Sequence, residues 1–474
     1  MTVQLRMTTS QRDTLLRHLF PGDGEEHGAV LACGQARSAR GTRLLVREIF
    51  LARDGIEFIA STSAYRALSP EFVARTSDFC HDGGFVWLSV HNHGPGDSVA
   101  FSAADRRSHD RLYPSLEHFT KRPVGALVFA DQAVAGELRF DGRAQAMDGA
   151  VIVGDRIERM HPRPPALPPD APATYNRQAL LLGARGQHLL RQLKVVVIGA
   201  GGAGSIVCLQ LARLGVGELV AIDPDRLSVS NLSRIPAATR WDALAWLAES
   251  RSARARAVAA RFARPKVRVI GREARRANPR GVYRGLHADI VSAAVAHELT
   301  DADFIFCATD TMTSRMFANI VAHQYMVPVI QLGAKIPVDS EGDVGVIHLP
   351  VRPVTVERGC LDCAGAISQR LLHLESLVDE DRARHRYVDD PDVEEPSVIS
   401  LNTETAGRAV TDFLFMVCGL HSAGTPVGHQ MLEPRERLLM STSFERDPAC
   451  PYCSTSAHSR FALGDARPLP TRPA

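Results

Sequence analysis

The 474-residue chain carries 55 basic and 53 acidic residues for a formal charge of +2, with 45% apolar and 23% charged side chains. This balance excludes collagen-like, mucin-like and largely disordered chains, and leaves no domain-wide basic footprint for nucleic acid or an anionic membrane. The opening MTVQLRMTTSQRD has no signal-peptide core, no apolar run reaches the roughly 18 residues of a membrane span, and a cytoplasmic location is expected. Nine cysteines are too few for a disulfide scaffold, and four of them form two C-x-x-C pairs.

In chain order, a helix is predicted around 8–20, followed by short apolar runs at 28–33 (GAVLAC) and 42–52 (TRLLVREIFLA). FVWLSV (85–90), VGALVFA (124–130) and GAVIVG (149–154) follow, with a second helix over 102–118. They predict a mainly antiparallel sheet with a few helices, an α+β domain over 1–160. HPRPPALPPDAPA, residues 161–173, holds too many prolines for helix or strand and reads as an extended linker.

From 174 to 474 the rhythm changes. KVVVIG (194–199), ELVAID (218–223), KVRVIG (266–271), DFIFCATD (303–310) and VPVIQLG (327–333) read as strands. They alternate with helical stretches, including an Ala/Arg-rich one over 251–264. Strands apolar on both sides predict a mostly parallel sheet covered on two faces, making the whole a two-domain α/β protein. The charged segment 377–396 reads as a mobile surface loop, and 401–419 as a packing helix.

Two stretches carry chemistry. In SVHNHGPGDSVAFSAADRR, His91 and His93 are spaced i,i+2 after a strand, so their imidazoles share a face. Asp105 offers a third ligand, and three protein ligands leave zinc an open, catalytic position. A carboxylate is needed to take a proton from water, and Glu25 or Glu26 of EEHG is available. This set resembles the JAB/MPN (JAMM) metalloproteases, which remove ubiquitin-like modifiers: Glu25 three before Gly28, then His91-Asn92-His93, then Ser102-Ala103-Ala104-Asp105. The resemblance implies His91, His93 and Asp105 as zinc ligands, Glu25 as general base and Ser102 as a stabiliser of the oxyanion. Gly94 stands where that family has proline, and the H-to-D spacing is one residue longer. His81, His109, His118 and His161 are assigned no chemistry.

In the second stretch, KVVVIGAGGAGS sets Gly199, Gly201 and Gly204 between a strand and a helix, where phosphate can approach free N–H groups. Asp223 ends the next strand, placed for ribose hydroxyls. AIDPDRLSVSNLSR then supplies Asp225, Asn231 and Arg234, a polar set suited to triphosphate and magnesium rather than to hydride transfer. Asp310 follows another strand, and Arg177 of YNRQ lies ahead of the fold.

Over about 174–455 these residues resemble the ThiF/MoeB/HesA family, bacterial relatives of ubiquitin-activating enzymes that adenylate a protein's terminal carboxylate, often as dimers. The resemblance implies that Gly199, Gly201, Gly202 and Gly204 cradle ATP, with Asp223 on ribose and Asp225, Asn231 and Arg234 toward the phosphates. Asp310 would bind Mg2+, and Arg177 would act across a homodimer interface. The family's ATP-contacting lysine is expected in the helix after N-L-x-R, where SARARAVAAR offers Arg254 and, in better register, Arg256. Lys335 is an alternative ammonium.

Cys360, Cys363, Cys450 and Cys453 suit one closed, structural zinc site that pins the carboxy-terminal tail. The family's further, acceptor cysteine is expected before the 401–419 helix, yet VDDPDVEEPSVISLN has none. Cys208, Cys307 and Cys418 read as packing residues, so the chemistry is expected to stop at acyl-adenylate or pass to another protein. The leading reading is a bifunctional enzyme of a bacterial ubiquitin-like pathway, using ATP, Mg2+ and two Zn2+, and trimming as well as activating a modifier. Its alternatives are an activator of a sulfur-carrier protein or peptide, and a non-catalytic scaffold. Expected partners are such a carrier with a free carboxy terminus, and a conjugating enzyme.

Overall fold

The computed structural model describes residues 2–59, 67–339, 341–377, 396–422, 424–425 and 427–472. The chain divides into two compact units: one of residues 1–167, 323–326 and 451–468, the other of 168–322, 327–450 and 469–474.

In the first unit, β1 (Thr2–Thr8) runs directly into α1 (Thr9–Leu19). Thr8 ends the strand and caps the helix: its hydroxyl accepts from the Gln11 N–H, and the Gln11 side chain accepts from the Thr8 N–H. Strands β2 (Gly28–Ser38) and β3 (Gly41–Leu51) form a hairpin. Then come α2 (Pro70–Gly83), β4 (Val86–Asn92), α3 (Ala103–Thr120), β5 (Val124–Phe129), β6 (Val134–Phe140), β7 (Arg143–Ala146), β8 (Ala150–Val153) and β9 (Ile157–Met160). Among the described residues these strands form one sheet in the order β7-β6-β5-β4-β2-β3-β1-β8-β9. It is mainly antiparallel, as expected, with parallel pairing at β1–β3, β1–β8 and β4–β5.

The apolar runs are continuous because both faces of the sheet are covered. Leu31 and Leu88 point into a core with Leu15 and Leu19 of α1, while their neighbours Ala32 and Trp87 point into another with Phe72 of α2 and Tyr113 and Leu116 of α3. Burying each such large side chain stabilises by about 1.5–3 kcal/mol.

The second unit follows the β/α alternation. Its elements are α4 (Asn176–Gln192), β10 (Lys194–Ile198), α5 (Gly202–Leu214), β11 (Glu218–Ile222), α6 (Ala245–Ala248), α7 (Ala253–Phe262), α8 (Lys266–Ala277), β12 (Val282–Leu286), α9 (Ala293–Thr300), β13 (Phe304–Cys307) and α10 (Met312–Gln324). They continue with β14 (Val329–Leu332), β15 (Leu349–Val354), α11 (Gln369–Ser376), α12 (Ile399–Cys418), β16 (His429–Glu433) and β17 (Leu438–Thr442). Among the described residues the sheet order is β12-β11-β10-β13-β14-β15-β16-β17. The first five strands are parallel, but β15, β16 and β17 add an antiparallel arm, so the sheet is mixed rather than mostly parallel. Phe413 of α12 packs edge-on against Phe304 and Phe306 of β13, at ring separations of 4.8 and 5.6 Å.

KVRVIG is not a strand. Pro265 sits at the N-cap of α8, and Val267, Ile270 and Ala274 then recur on one buried helical face. The predicted mobile loop falls largely on 378–395, outside the described residues. No helix among the described residues is long and apolar enough to cross a membrane.

Candidate functional site

The first unit gathers a candidate metal centre at His91, His93 and Asp105. His91 ends strand β4, in register with Gly28 of β2, and His93 follows two residues on. Asp105 comes from the first turn of α3, where Ser102 is the N-cap. The Ser102 hydroxyl accepts from the Asp105 N–H at 3.1 Å, and Asp105 Oδ2 accepts from the Ser102 N–H at 2.6 Å. This capping box fixes the carboxylate against the imidazoles. His91 Nε2 lies 3.3 Å from His93 Nε2 and 3.4 Å from Asp105 Oδ1, and His93 Nε2 lies 3.5 Å from Asp105 Oδ2. Ligand atoms about 2.0–2.1 Å from a tetrahedral zinc stand roughly 3.4 Å apart, so this donor set fits zinc. Burial opposes ionisation of Asp105, but the hydrogen bond and charge of His91, with Ser102, outweigh it and hold the carboxyl well below its usual range.

Two neighbouring groups are expected to take part. Ser102 serves as a helix cap: its hydroxyl oxygen accepts from the Asp105 N–H, and its proton is left to donate. Of the two glutamates, Glu25 is exposed, whereas Glu26 is half-buried and lines the cavity that also contains His91 and Asp105. The backbone here is tied down by Asn92, whose side chain accepts from the His27 N–H at 2.6 Å and donates to the Glu25 carbonyl at 3.3 Å.

In the second unit, Cys360, Cys363 and Cys450 come together. Cys360 Sγ is 3.7 Å from Cys363 Sγ and 3.6 Å from Cys450 Sγ, close to the roughly 3.8 Å edge of a tetrahedron with 2.3 Å Zn–S bonds. Gently purified protein should therefore contain two zinc ions per chain. Replacing His91 and His93 together by alanine should remove one equivalent by elemental analysis and leave the other.

In the second unit, sheet register assembles the other candidate site. Ile198 of β10 pairs with Ile222 of β11 and with Cys307 of β13, all parallel. The residues that follow, the Gly199–Gly204 loop, Asp223 and the segment leading to exposed Asp310, therefore emerge side by side at the carboxyl ends of the strands. Gly199 adopts φ +89°, and a Cβ on Gly204 would lie 1.9 Å from the Gly199 carbonyl oxygen, so both positions require glycine. Asp223 accepts from the Ala200 N–H at 2.6 Å and the Asp225 N–H at 2.8 Å. Burial pushes its carboxyl up, against the opposing charge of Lys266.

A profile of the ThiF family matches residues 175–424. The chain belongs to the ThiF family. It is 29% identical over 191 residues to the sulfur carrier protein ThiS adenylyltransferase of Escherichia coli, covering 40% of this chain and 65% of that protein. It is 27% identical over 237 residues to the adenylyltransferase and sulfurtransferase uba4 of Aspergillus clavatus, covering 49% of this chain and 43% of that protein. Thus the chain spans less than two thirds of either relative. Among solved structures, E. coli MccB with ATP aligns with a TM-score of 0.44 at 19% identity, over 60% of this chain and 75% of that one.

Within the ThiF segment, Asn231 is buried and uses its side-chain oxygen to accept from the Ser228 N–H at 3.2 Å, while Arg234 is half-buried three residues on. Arg256 does not turn toward this group: its guanidinium donates to the Ser250 and Arg251 carbonyls at 3.0 and 2.9 Å. The ammonium beside Asp223 is that of Lys266, 2.6 Å from Asp225 and 4.0 Å from Asp223. Reading KVRVIG as a strand hid this lysine, which opens a helix. Lys335 is exposed and pairs through its backbone with His348, and Arg177 is exposed on α4. Cys208 and Cys307 are fully buried, and burial drives both thiols up, most strongly at Cys208, so neither is poised as a thiolate.

Proposed function

We propose that the ThiF segment uses ATP to adenylate the carboxy-terminal carboxylate of a sulfur-carrier protein or peptide, and that the first unit is a zinc peptidase. The observation that carries the first half is the register of β10, β11 and β13 in a chain of the ThiF family, which gathers the glycine loop, Asp223 and the Asp310 segment at one sheet edge. Similarity to a ThiS adenylyltransferase and to an adenylyltransferase and sulfurtransferase favours a sulfur carrier as partner over the ubiquitin-like modifier of the leading sequence reading.

In this reading the N–H groups of the Gly199, Gly201, Gly202 and Gly204 loop hold phosphate at the start of α5, and Asp223 holds the ribose hydroxyls. Lys266, Asn231 and Arg234 orient the phosphate chain, with Asp225 keeping the ammonium of Lys266 in place. Magnesium held at Asp310 supplies charge neutralisation. A substrate carboxylate oxygen bonds to the α-phosphorus as the bond to pyrophosphate breaks, and the lysine and arginine stabilise the charge that develops. In the first unit, zinc held by His91, His93 and Asp105 supplies Lewis acidity toward water and a carbonyl oxygen. Glu26 accepts the proton of the attacking water and delivers it to the leaving amine.

Incubation with ATP and a carrier protein should yield an acyl-adenylate detectable by mass spectrometry. A non-reducing gel should show no thiol-labile adduct on this chain, because Cys208 and Cys307 are buried. An adduct lost on replacing Cys418, which is half-buried at the end of α12, would contradict this account and reveal an acceptor there.

A further inference from the structure

The metal centre opens onto a cavity of about 700 Å³ between the sheet and helices α2 and α3. A carrier tail of consecutive glycines would leave such a space empty. Its walls combine apolar Phe58, Val73, Trp87 and Leu112 with polar Asp78 and Arg111, and a buried histidine among them has a fixed orientation. His109, one helical turn after Asp105, is buried and holds Glu137 of β6 through Nδ1 at 2.8 Å. The hydrogen bond from His109 is the main reason Glu137 stays below its usual range, so the carboxylate accepts and the ring proton sits on Nδ1. Nε2 is thereby left for another partner, and His109 is part of the cavity lining. The imidazole is held flat against Tyr113, with ring centroids 4.6 Å apart and planes 14° from parallel, and the Tyr113 hydroxyl is paired with Ser89 at 2.6 Å. Phe101 packs against both histidines, its ring 6.2 Å from that of His91 and 5.1 Å from that of His109.

We propose that this cavity is a specificity pocket for a tyrosine side chain of the polypeptide substrate, with His109 Nε2 hydrogen-bonded to the phenol hydroxyl. The proposal rests on the peptidase reading of the first unit and names its substrate. A cavity with aromatic and aliphatic walls and an oriented polar group suits an aromatic body with a polar tip. Its continuity with His91 and Asp105 places the scissile bond beside the residue that enters it. His109 is a positioning residue, acting on the bound side chain and not on the bond that breaks.

The test uses the zinc-loaded full chain and a peptide panel in which one residue flanking the cleaved bond is Gly, Ala, Leu, Phe or Tyr. Tyrosine should exceed glycine in kcat/KM by about 10- to 100-fold, the burial energy of one aromatic side chain. Phenylalanine should fall between them. His109→Leu should erase the tyrosine-over-phenylalanine preference through KM, with zinc content retained. Ser108→Phe, which adds bulk to the cavity wall, should lower kcat/KM for the tyrosine peptide at least tenfold. Hydrolysis that is equal across the panel, or best with glycine, would overturn the pocket while leaving the peptidase reading intact. If no peptide is cleaved, the peptidase reading fails and the pocket is judged by calorimetric binding of the same peptides. Tighter binding of the tyrosine peptide would support it, and equal binding would overturn it.

Discussion

Asp310→Ala is expected to reduce ATP–pyrophosphate exchange by about 10²–10³-fold, the usual effect of deleting one preorganised group that meets developing charge. Asp310 is exposed beyond the carboxyl end of β13, so its loss should leave the melting temperature almost unchanged. Lys266→Met is expected to cause a loss of similar size, whereas Arg256→Ala should stay within a few-fold of the parent. The reasoning is geometric: Lys266 reaches Asp225 and Asp223, while Arg256 is occupied by the carbonyls of Ser250 and Arg251. The reverse order, with Arg256 essential and Lys266 dispensable, would restore the arginine implied by family resemblance.

Glu26→Gln is expected to slow peptide hydrolysis by about 10²–10⁴-fold with two zinc ions retained, because it removes the proton acceptor and none of the ligands. Glu25→Gln should change the rate only a few-fold. Glu25 was favoured in the sequence by its offset from Gly28, but β2 begins at Gly28 and places Glu26 on the cavity with His91 and Asp105. Severe loss in the Glu25 variant and little in the Glu26 variant would return the role to Glu25.

What could be read from the sequence divides along physical lines. Strands buried on both faces announced themselves as apolar runs, as in VVVI of β10 and VWLSV of β4. Edge strands did not: β7 and β17 are exposed along their whole length, so no burial pattern marks them. The last strand of the antiparallel arm therefore went unseen. KVRVIG misled because Val-Arg-Val imitates the two-residue period of a strand. The preceding proline and the i, i+3, i+7 spacing of Val267, Ile270 and Ala274 were the signal for a helix. The histidine–aspartate centre was legible because its ligands sit within fifteen residues of one another. His109 was passed over because its partner, Glu137, lies 28 residues away on another strand, a proximity only the fold creates.

The central claim is that a free carboxy terminus is the group this chain activates with ATP. Radiolabelled pyrophosphate exchange into ATP, measured with a sulfur-carrier protein bearing either a free or an amidated carboxy terminus, tests it most directly. Exchange is expected with the free terminus and should fall to background with the amidated one and with Asp310→Ala. Equal exchange with both termini would contradict adenylation of the terminal carboxylate, and so would an absence of exchange with zinc-replete, folded protein across a panel of carrier proteins and peptides.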